Sequence, residues 1–171
     1  MTSEHRPAVV AFAAPSGSGK TTLLVQVLAH LKAAGHHVGA VKSDAHRVEL
    51  DKPGKDTHRM RDAGAEVTGL VSRDQIAIFR DAPGPELRLA HMIEVFFAHL
   101  DLVLAEGFRS QGYPTIVVCR EGIDMKGWEW PSNVVAIVSD TPTDKAHPTF
   151  ALNDIAGIAA FVQDLARPEE A

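Results

Sequence analysis

A glycine-rich segment near the start of the chain has the residue types needed to bind phosphate. It places two serines and two glycines before a lysine and two threonines, in the order Ala14-Pro15-Ser16-Gly17-Ser18-Gly19-Lys20-Thr21-Thr22. Glycine lacks the Cβ atom that would hold the backbone away from an anion. An apolar run at 8–13 predicts a strand before the segment, and another at 23–28 predicts a helix after it. This arrangement is typical of a P-loop, which wraps the phosphates of a nucleoside triphosphate.

The roles of the individual residues follow from the chemistry of a triphosphate. The N–H groups of residues 16–21 would line an anion-binding concavity, and the dipole of the following helix would add favourable charge. Lys20 would contact the β- and γ-phosphates, and the hydroxyl of Thr21 would bind Mg²⁺. We therefore predict seven nucleotide-binding residues here: Ser16, Gly17, Ser18, Gly19, Lys20, Thr21 and Thr22.

One residue departs from the strict P-loop pattern G-x-x-x-x-G-K-[ST]. Ala14 stands where the pattern has its first glycine. Because alanine is small, the departure weakens the match only slightly. The alternative interpretation is a small-residue linker with an exposed lysine, and the strand and helix predicted on either side favour the P-loop over it.

A carboxylate at the end of a buried strand is the second candidate for phosphate chemistry. The apolar run Leu100–Phe108 carries Glu106 near its carboxyl end, where the acid would lie beside the P-loop and hold Mg²⁺ or polarise an attacking water. Gly107 would let the backbone approach a γ-phosphate. Asp101 lies at the other end of the strand and is less suited. The alternative role of Glu106 is a salt bridge, with Arg109 as its partner.

Three aspartates follow the second predicted strand. Ligands of open α/β sheets bind at the carboxyl ends of strands, so Asp44, Asp51 and Asp56 are candidates to hold Mg²⁺ directly or through water. The sequence does not choose among them. The alternative is a solvated loop whose carboxylates pair with nearby cations, namely Lys52, Lys55, Arg59 and Arg61.

A further carboxylate is placed where it would recognise the base of the nucleotide. Asp140 follows a predicted strand at 134–138, and its carboxylate would accept hydrogen bonds from guanine N1 and N2. It would therefore favour guanine over adenine, and we count it among the predicted nucleotide-binding residues. The signal is weak, because the four-residue signature Asn/Thr-Lys-x-Asp is absent.

The elements that must position these residues predict an α/β fold of the P-loop NTPase type, with three layers and a mostly parallel sheet flanked by helices. A helix at 21–34, ended by Gly35, leads to a second strand at 36–42. Strand, helix and strand within about 35 residues predict that the two strands pair in parallel through a right-handed crossover. Later strands are predicted at 115–119 and 134–138, and a final helix at 154–165.

Smaller elements are predicted in the middle of the chain. A short helix capped by Asp56 or Thr57 would end at Gly64. Apolar segments at 67–71 and 75–79 predict a hairpin or two edge strands. A helix at 86–99 would direct five apolar side chains to the core: Leu89, Met92, Ile93, Phe96 and Phe97. The loop 121–131 carries both tryptophans, and it would pack on the body of the protein or form a partner surface.

Composition is that of an ordinary globular protein. The 171 residues are 45% apolar and 23% charged, which predicts one domain over 1–171. A net charge of −5 argues against nucleic acid as a partner, because such binding needs a basic face. No apolar run approaches the roughly 20 residues of a membrane span, so we expect no membrane partner and a cytoplasmic location. The single cysteine, Cys119, excludes an internal disulfide framework and is expected in the core.

Three motifs together resemble the molybdopterin-guanine dinucleotide biosynthesis protein B family. They are the P-loop at 16–24, the segment Asp51-Lys-Pro-Gly-Lys-Asp-Thr57 with Arg59, Arg61 and 63–65, and the segment Asp101-Leu-Val-Leu-Ala-Glu-Gly-Phe108. The resemblance covers about residues 8–140. The second and third motifs are much more specific than the P-loop alone.

The resemblance implies a GTP-binding homodimer with weak intrinsic GTPase activity. It would assist the guanylyltransferase that joins GMP to molybdopterin, so its implied ligands are GTP, Mg²⁺ and molybdopterin or its dinucleotide form. By matching position, the implied catalytic residues are Glu106, Asp56 and Lys20, and the implied metal ligands are Thr21, Glu106 and Asp56. Ser43 and Asp44 stand where relatives are often rich in histidine, which leaves His46 as the nearby histidine.

The alternative function is that of a P-loop kinase acting on a small metabolite. The basic cluster between Lys52 and Arg61 would supply part of its lid, although it comes early, directly after the second strand. A third possibility, a metal-insertion GTPase, lacks the histidine and cysteine ligands expected for it. Nothing in the sequence identifies an arginine finger, so we expect slow basal hydrolysis.

Overall fold

The computed structural model describes residues 6–43, 50–81, 89–143 and 146–167. Asp44, His46 and the predicted helix start at 86 lie outside the described residues. The chain forms two compact units, one of residues 1–43 with 88–171 and the other of residues 44–87. The prediction of a single domain stays a prediction.

Eight strands and four helices make up the described secondary structure. The strands are β1 Ala8–Ala13, β2 Val38–Lys42, β3 Val67–Val71, β4 Ile76–Arg80, β5 Leu102–Glu106, β6 Thr115–Cys119, β7 Val134–Ser139 and β8 Thr149–Phe150. The helices are α1 Lys20–Ala33, α2 Asp56–Asp62, α3 Leu89–Met92, which continues as a π-helix over Ile93–Phe97, and α4 Ile155–Ala166.

The larger unit is built on a six-stranded sheet. Its strands lie in the order β2-β5-β1-β6-β7-β8. Every neighbouring pair in this sheet is parallel. With helices packed on both faces, this arrangement confirms the predicted three-layer α/β fold.

The predicted pairing of the first two strands is wrong. β1 and β2 run parallel, but β5 lies between them and pairs with both. Phe12 of β1 and Lys42 of β2 are both in register with Glu106 of β5. The crossover through α1 therefore skips one strand, and a segment from much later in the sequence fills the gap. The insertion places Glu106 between the ends of β1 and β2 at the carboxyl edge of the sheet.

One face of the sheet is covered by α1 and α4. Leu23, Val27 and Leu31 recur at helical spacing and are buried against the alternate β1 residues Val10 and Phe12. Burying each such side chain contributes about 1.5–3 kcal/mol to stability. The predicted stop at Gly35 is confirmed by its left-handed φ of 93°.

The opposite face is covered by two different elements. Leu89 and Ile93 from α3 and its π-helical continuation pack against Ala11 and Ala105. The predicted core stripe is therefore correct at those two positions and at Met92, which packs against the same cluster, but wrong at Phe96, which is 45% exposed.

Farther along the same face, part of the tryptophan loop covers the sheet. Met125 and Trp128 pack against Val117, Cys119 and Ile137 of β6 and β7. The interpretation that this loop packs on the body of the protein is thus confirmed for these two side chains. Cys119 is buried as predicted, and burial raises the pKa of its thiol, with Asp140 adding to the shift.

The smaller unit contains α2 and an antiparallel hairpin of β3 and β4, which confirms the hairpin alternative. The predicted cap of α2 is wrong, because Lys55 occupies the N-cap position and Asp56 is already helical. Thr57 instead donates a hydrogen bond from Oγ1 to Asp51 Oδ1 at 2.8 Å. Gly64 ends the helix as predicted, with a φ of 104°.

Within the described part of the chain, no helix has the length and apolarity that a membrane crossing requires.

Candidate nucleotide-binding site

The predicted P-loop connects β1 directly to α1 at the carboxyl edge of the sheet. Gly17 and Gly19 adopt φ values of 78° and 84°, which side chains other than glycine rarely tolerate. Gly19 is the N-cap residue of α1, and its carbonyl accepts the hydrogen bond from Leu23 N at 3.0 Å. The N–H groups of the first helical turn have no partners within a helix, so they can bind an anion.

Lys20 is folded back over its own loop. Its Nζ donates hydrogen bonds to the carbonyl oxygens of Ala14 and Pro15, each at 3.0 Å. Burial lowers the pKa of Lys20, Glu106 opposes this shift, and Lys42 adds to it. The ammonium group is therefore held inside the loop by neutral acceptors that a phosphate could replace.

Thr21 and Glu106 are in direct contact. Thr21 Oγ1 donates a hydrogen bond to Glu106 Oε2 at 2.6 Å. Glu106 is 8% exposed and ends β5, as predicted for the acid beside the P-loop. The two side chains that were predicted to share a Mg²⁺ ion thus meet at one point.

The cationic partner of Glu106 is Lys42, whose Nζ lies 3.3 Å from Glu106 Oε1. Arg109, which the alternative interpretation named as the partner, does not pair with Glu106. It instead donates to the Glu129 carbonyl at 3.2 Å and lies over the Trp128 ring. Sequence reasoning missed Lys42, although its place as the last residue of the second strand indicates the same edge of the sheet.

The remaining P-loop side chains differ in exposure. Ser18 is buried, and its Oγ has no hydrogen-bond partner among the described residues. Such an unpaired buried hydroxyl is costly, and it fits a loop that receives a polar ligand. Ser16 and Thr22 are exposed.

Asp140 lies at the end of β7 and is exposed. Its Oδ1 accepts a hydrogen bond from Glu121 N at 2.7 Å, which ties the turn after β6 to the end of β7. The role predicted for it in guanine recognition stays a prediction.

Two residues of the turn after β6 border the P-loop, and sequence reasoning missed both. A Cβ atom built on Gly19 would lie 2.9 Å from Arg120 Nη1, and one built on Gly17 would lie 3.9 Å from Ile123 Cδ1. Arg120 directly follows the buried strand β6, and that position was the available signal.

The aspartates of the polar segment are described within the smaller unit. Asp51 is 5% exposed, and its Oδ2 lies 3.7 Å from Arg61 Nη1. Asp56 is exposed, with its Oδ1 at 3.8 Å from Arg59 Nη1. Both pairs match the alternative interpretation of carboxylates paired with nearby cations. The metal and catalytic roles of Asp56 stay predictions.

No cluster of three or more His, Cys, Asp or Glu side chains suited to a metal ion occurs in residues 6–43, 50–81, 89–143 and 146–167. A Mg²⁺ site of the P-loop type does not require one, because Mg²⁺ is commonly held by one or two carboxylates together with waters and phosphate oxygens.

Comparison with known proteins identifies the family of the chain. Residues 9–140 match the family model described as molybdopterin guanine dinucleotide synthesis protein B. The chain is 37% identical over 158 residues to the molybdopterin-guanine dinucleotide biosynthesis adapter protein of Escherichia coli K12, and the match covers 90% of each chain. The corresponding Haemophilus influenzae protein is 33% identical over 150 residues, covering 87% of this chain and 84% of the relative.

A solved structure agrees at the level of the fold. The crystal structure of a molybdopterin-guanine biosynthesis protein B superimposes with a TM-score of 0.75 and 27% identity, covering 94% of this chain and 99% of that one. The resemblance inferred from the three motifs is thereby confirmed. The chain belongs to the molybdopterin guanine dinucleotide synthesis protein B family.

Proposed function

We propose that this chain is an adapter in molybdopterin guanine dinucleotide biosynthesis that binds GTP with Mg²⁺ and assists the guanylyltransferase. The observation that carries the proposal is the 2.6 Å contact between Thr21 and Glu106, beside a P-loop whose lysine is already inside the loop. The family supplies the pathway, since its relatives are named as adapter proteins of that biosynthesis. The proposed partners are the transferase and molybdopterin or its dinucleotide form.

The residues around this contact fit a magnesium ion. Mg²⁺ prefers hard oxygen ligands, and Thr21 and Glu106 offer a hydroxyl and a carboxylate oxygen. We propose these two as ligands. A bound Mg²⁺ would neutralise charge on the phosphates.

Phosphate binding would rearrange Lys20. Its two carbonyl acceptors are neutral, whereas phosphate oxygens carry charge and form stronger hydrogen bonds with an ammonium group. Lys20 would therefore leave Ala14 and Pro15 for the ligand. The unpaired Ser18 hydroxyl and the exposed first turn of α1 would provide the remaining contacts.

We propose that intrinsic GTP hydrolysis is slow. Glu106 already accepts a hydrogen bond from Thr21 and pairs with Lys42, so its carboxylate is committed to holding neighbouring groups. Such an acid supports metal binding better than it supports proton abstraction from water. An adapter does not need rapid hydrolysis.

We also propose that the protein is a homodimer. On the smaller unit, the hairpin presents one apolar face with exposed fractions of 73% for Val71 and 72% for Ile76, which are paired across the strands. An isolated two-stranded hairpin is at best marginally stable in water, and a second copy would cover this face.

Calorimetric titration of GTP and ATP, each with and without Mg²⁺, tests the nucleotide part of the proposal. We expect Mg²⁺-dependent binding that favours GTP, and a severe loss of triphosphate binding in Lys20→Ala. Lys32→Ala, an exposed lysine in the last turn of α1, is the matched control. A preference for ATP would instead point to the small-metabolite kinase, and absence of binding to both would refute both functions.

The adapter part needs its own assay. Addition of the protein to the guanylyltransferase, molybdopterin and GTP should increase the rate of dinucleotide formation. The Lys20→Ala variant should lose this stimulation. A rate that is unchanged by the wild-type protein would contradict the adapter role even if GTP binding is tight.

A further inference from the structure

The turn that follows β6 brings an arginine to the P-loop. β6 pairs with β1 in parallel, from Ala11 opposite Thr115 to Ala13 opposite Val117. Both strands therefore run to the same edge of the sheet, where β1 continues into the P-loop and β6 continues into Arg120. The order of the strands brings this position beside the P-loop, whereas the local sequence shows only that Arg120 follows a buried strand.

The side chain of Arg120 lies against the backbone of the loop. A Cβ atom at Gly19 would be 2.9 Å from Arg120 Nη1, so the guanidinium occupies the space that any larger residue at this position would need. Gly19 is the N-cap residue of α1 and immediately precedes Lys20. The guanidinium is thus next to the backbone that presents its N–H groups to an anion.

The turn itself is fixed by two hydrogen bonds. Ile123 N donates to the Arg120 carbonyl at 3.0 Å, and Glu121 N donates to Asp140 Oδ1 at 2.7 Å. The Ile123 side chain faces Gly17, the other left-handed glycine of the loop. The backbone that carries Arg120 is therefore anchored, so little backbone entropy remains to be lost when the side chain binds a ligand.

The charge of Arg120 is not used within the described part of the chain. No described residue forms a hydrogen bond or ion pair with its guanidinium, and the side chain is exposed. The neighbouring arginine at the same edge, Arg109, is by contrast paired with Glu129 and placed over Trp128. An unpaired guanidinium beside an anion-binding loop has the planar fork that suits phosphate oxygens.

We propose that Arg120 is a phosphate-binding residue that contacts the polyphosphate of the nucleotide together with Lys20. This inference rests on the proposed nucleotide binding and extends it, because it adds a second cation, carried on an anchored turn of the same chain. The ligand that it recognises is the polyphosphate group and not the base.

Inorganic tripolyphosphate is the probe that separates recognition of the polyphosphate from recognition of the base, because it carries no base. We expect Arg120→Ala to bind tripolyphosphate about ten- to a hundredfold more weakly than the wild-type protein, the range expected for losing a hydrogen bond to a charged group. The affinity for GTP should fall by a similar factor. Arg120→Lys keeps the charge but loses the fork, so its affinity should lie between the two.

Arg167→Ala is the matched control, because it removes an exposed arginine at the end of α4, paired with Asp164. Its affinity should stay near that of the wild-type protein. Equal melting temperatures of all variants would show that folding is unaffected. The loss in Arg120→Ala should also shrink as ionic strength rises.

The possible outcomes distinguish this inference from the proposed function. If the wild-type protein binds tripolyphosphate, Lys20→Ala does not and Arg120→Ala is unchanged, the P-loop function stands and the role of Arg120 is refuted. A loss that is confined to GTP and spares tripolyphosphate also refutes it. If the wild-type protein binds neither probe, the proposed function itself fails.

Discussion

At the scale of single residues, the contact between Thr21 and Glu106 joins side chains that are 85 positions apart in the sequence. Glu106 is shared between this hydroxyl and the Lys42 ammonium, and its side chain is 10% exposed. A carboxylate held in this way is pre-organised as an acceptor. It needs little rearrangement to bind a metal ion.

Replacing Glu106 with glutamine tests this role. Glutamine can still accept the Thr21 hydrogen bond but lacks the negative charge that Mg²⁺ needs. We expect Mg²⁺-dependent GTP hydrolysis to fall by about 10–100-fold, with a smaller change in nucleotide affinity. Single-turnover hydrolysis and calorimetry measure the two effects. Glu129→Gln is the control, and equal loss of hydrolysis and binding in Glu106→Gln would contradict the assignment.

The partly buried position of Lys20 predicts a pH dependence. Burial lowers the pKa of the free protein's Lys20, and negative phosphates would raise it again. The protonated Lys20 binds phosphate, so the affinity for the nucleotide should decline as pH rises through the lowered pKa of Lys20. This decline should begin at a pH below the ordinary pKa range of lysine. A ¹³C NMR titration of the Lys20 side chain, assigned with Lys20→Arg, measures this. A free-protein pKa at or above the ordinary value would refute the prediction.

At the scale of elements, the parts that follow from neighbouring residues were predictable. α1 was placed within one residue because a glycine pair starts it, an apolar stripe defines its face and Gly35 ends it. The end of β5 at Glu106 was equally predictable, because an apolar run stops there at a carboxylate.

What depends on strand order was not predictable from local sequence. The insertion of β5 between β1 and β2 is decided by packing across the whole sheet, and it selects Lys42 as the partner of Glu106. The approach of Arg120 to the P-loop has the same origin. The π-helical continuation of α3 also depends on packing, because the apolar spacing of Ile93–Phe97 fits an α-helix equally well.

The junction of β2 with this π-helical segment gives a prediction at the same scale. A Cβ atom on Gly39 would lie 2.5 Å from Phe97 Cδ1 and 2.7 Å from Leu100 Cδ1. We therefore expect Gly39→Ala to destabilise the protein by about 1–3 kcal/mol through overpacking. Chemical denaturation measures the free energy of unfolding.

Two comparisons make this test specific. Gly69→Ala makes the same change in β3, where the nearest atom to the added Cβ is Ile78 Cδ1 at 3.4 Å, so it should be neutral or stabilising. Phe97→Leu should reduce the cost of Gly39→Ala when the two are combined, since a smaller side chain can yield. Additive costs would show that Phe97 is not the source of the clash.

At the scale of the whole molecule, the proposed homodimer predicts that the exposed hairpin face controls assembly. Ile76→Lys should shift the protein to monomers, because a charged side chain would have to be buried in the interface. Sedimentation velocity measures the change. Val25→Lys, at a 58% exposed position of α1, is the matched control. A dimer that survives Ile76→Lys would exclude this face as the interface.

The placement of the two tryptophans has a practical consequence. Trp128 and Trp130 are the whole tryptophan content of the chain, and their rings meet edge to face with centroids 5.7 Å apart. They lie a few residues beyond the turn that holds Arg120 and Ile123 against the P-loop. Indole fluorescence from this protein therefore reports on one loop alone. The molecule carries a native optical label in the loop that continues from this turn, so that stopped-flow mixing can follow the response of the loop to polyphosphate without an added dye.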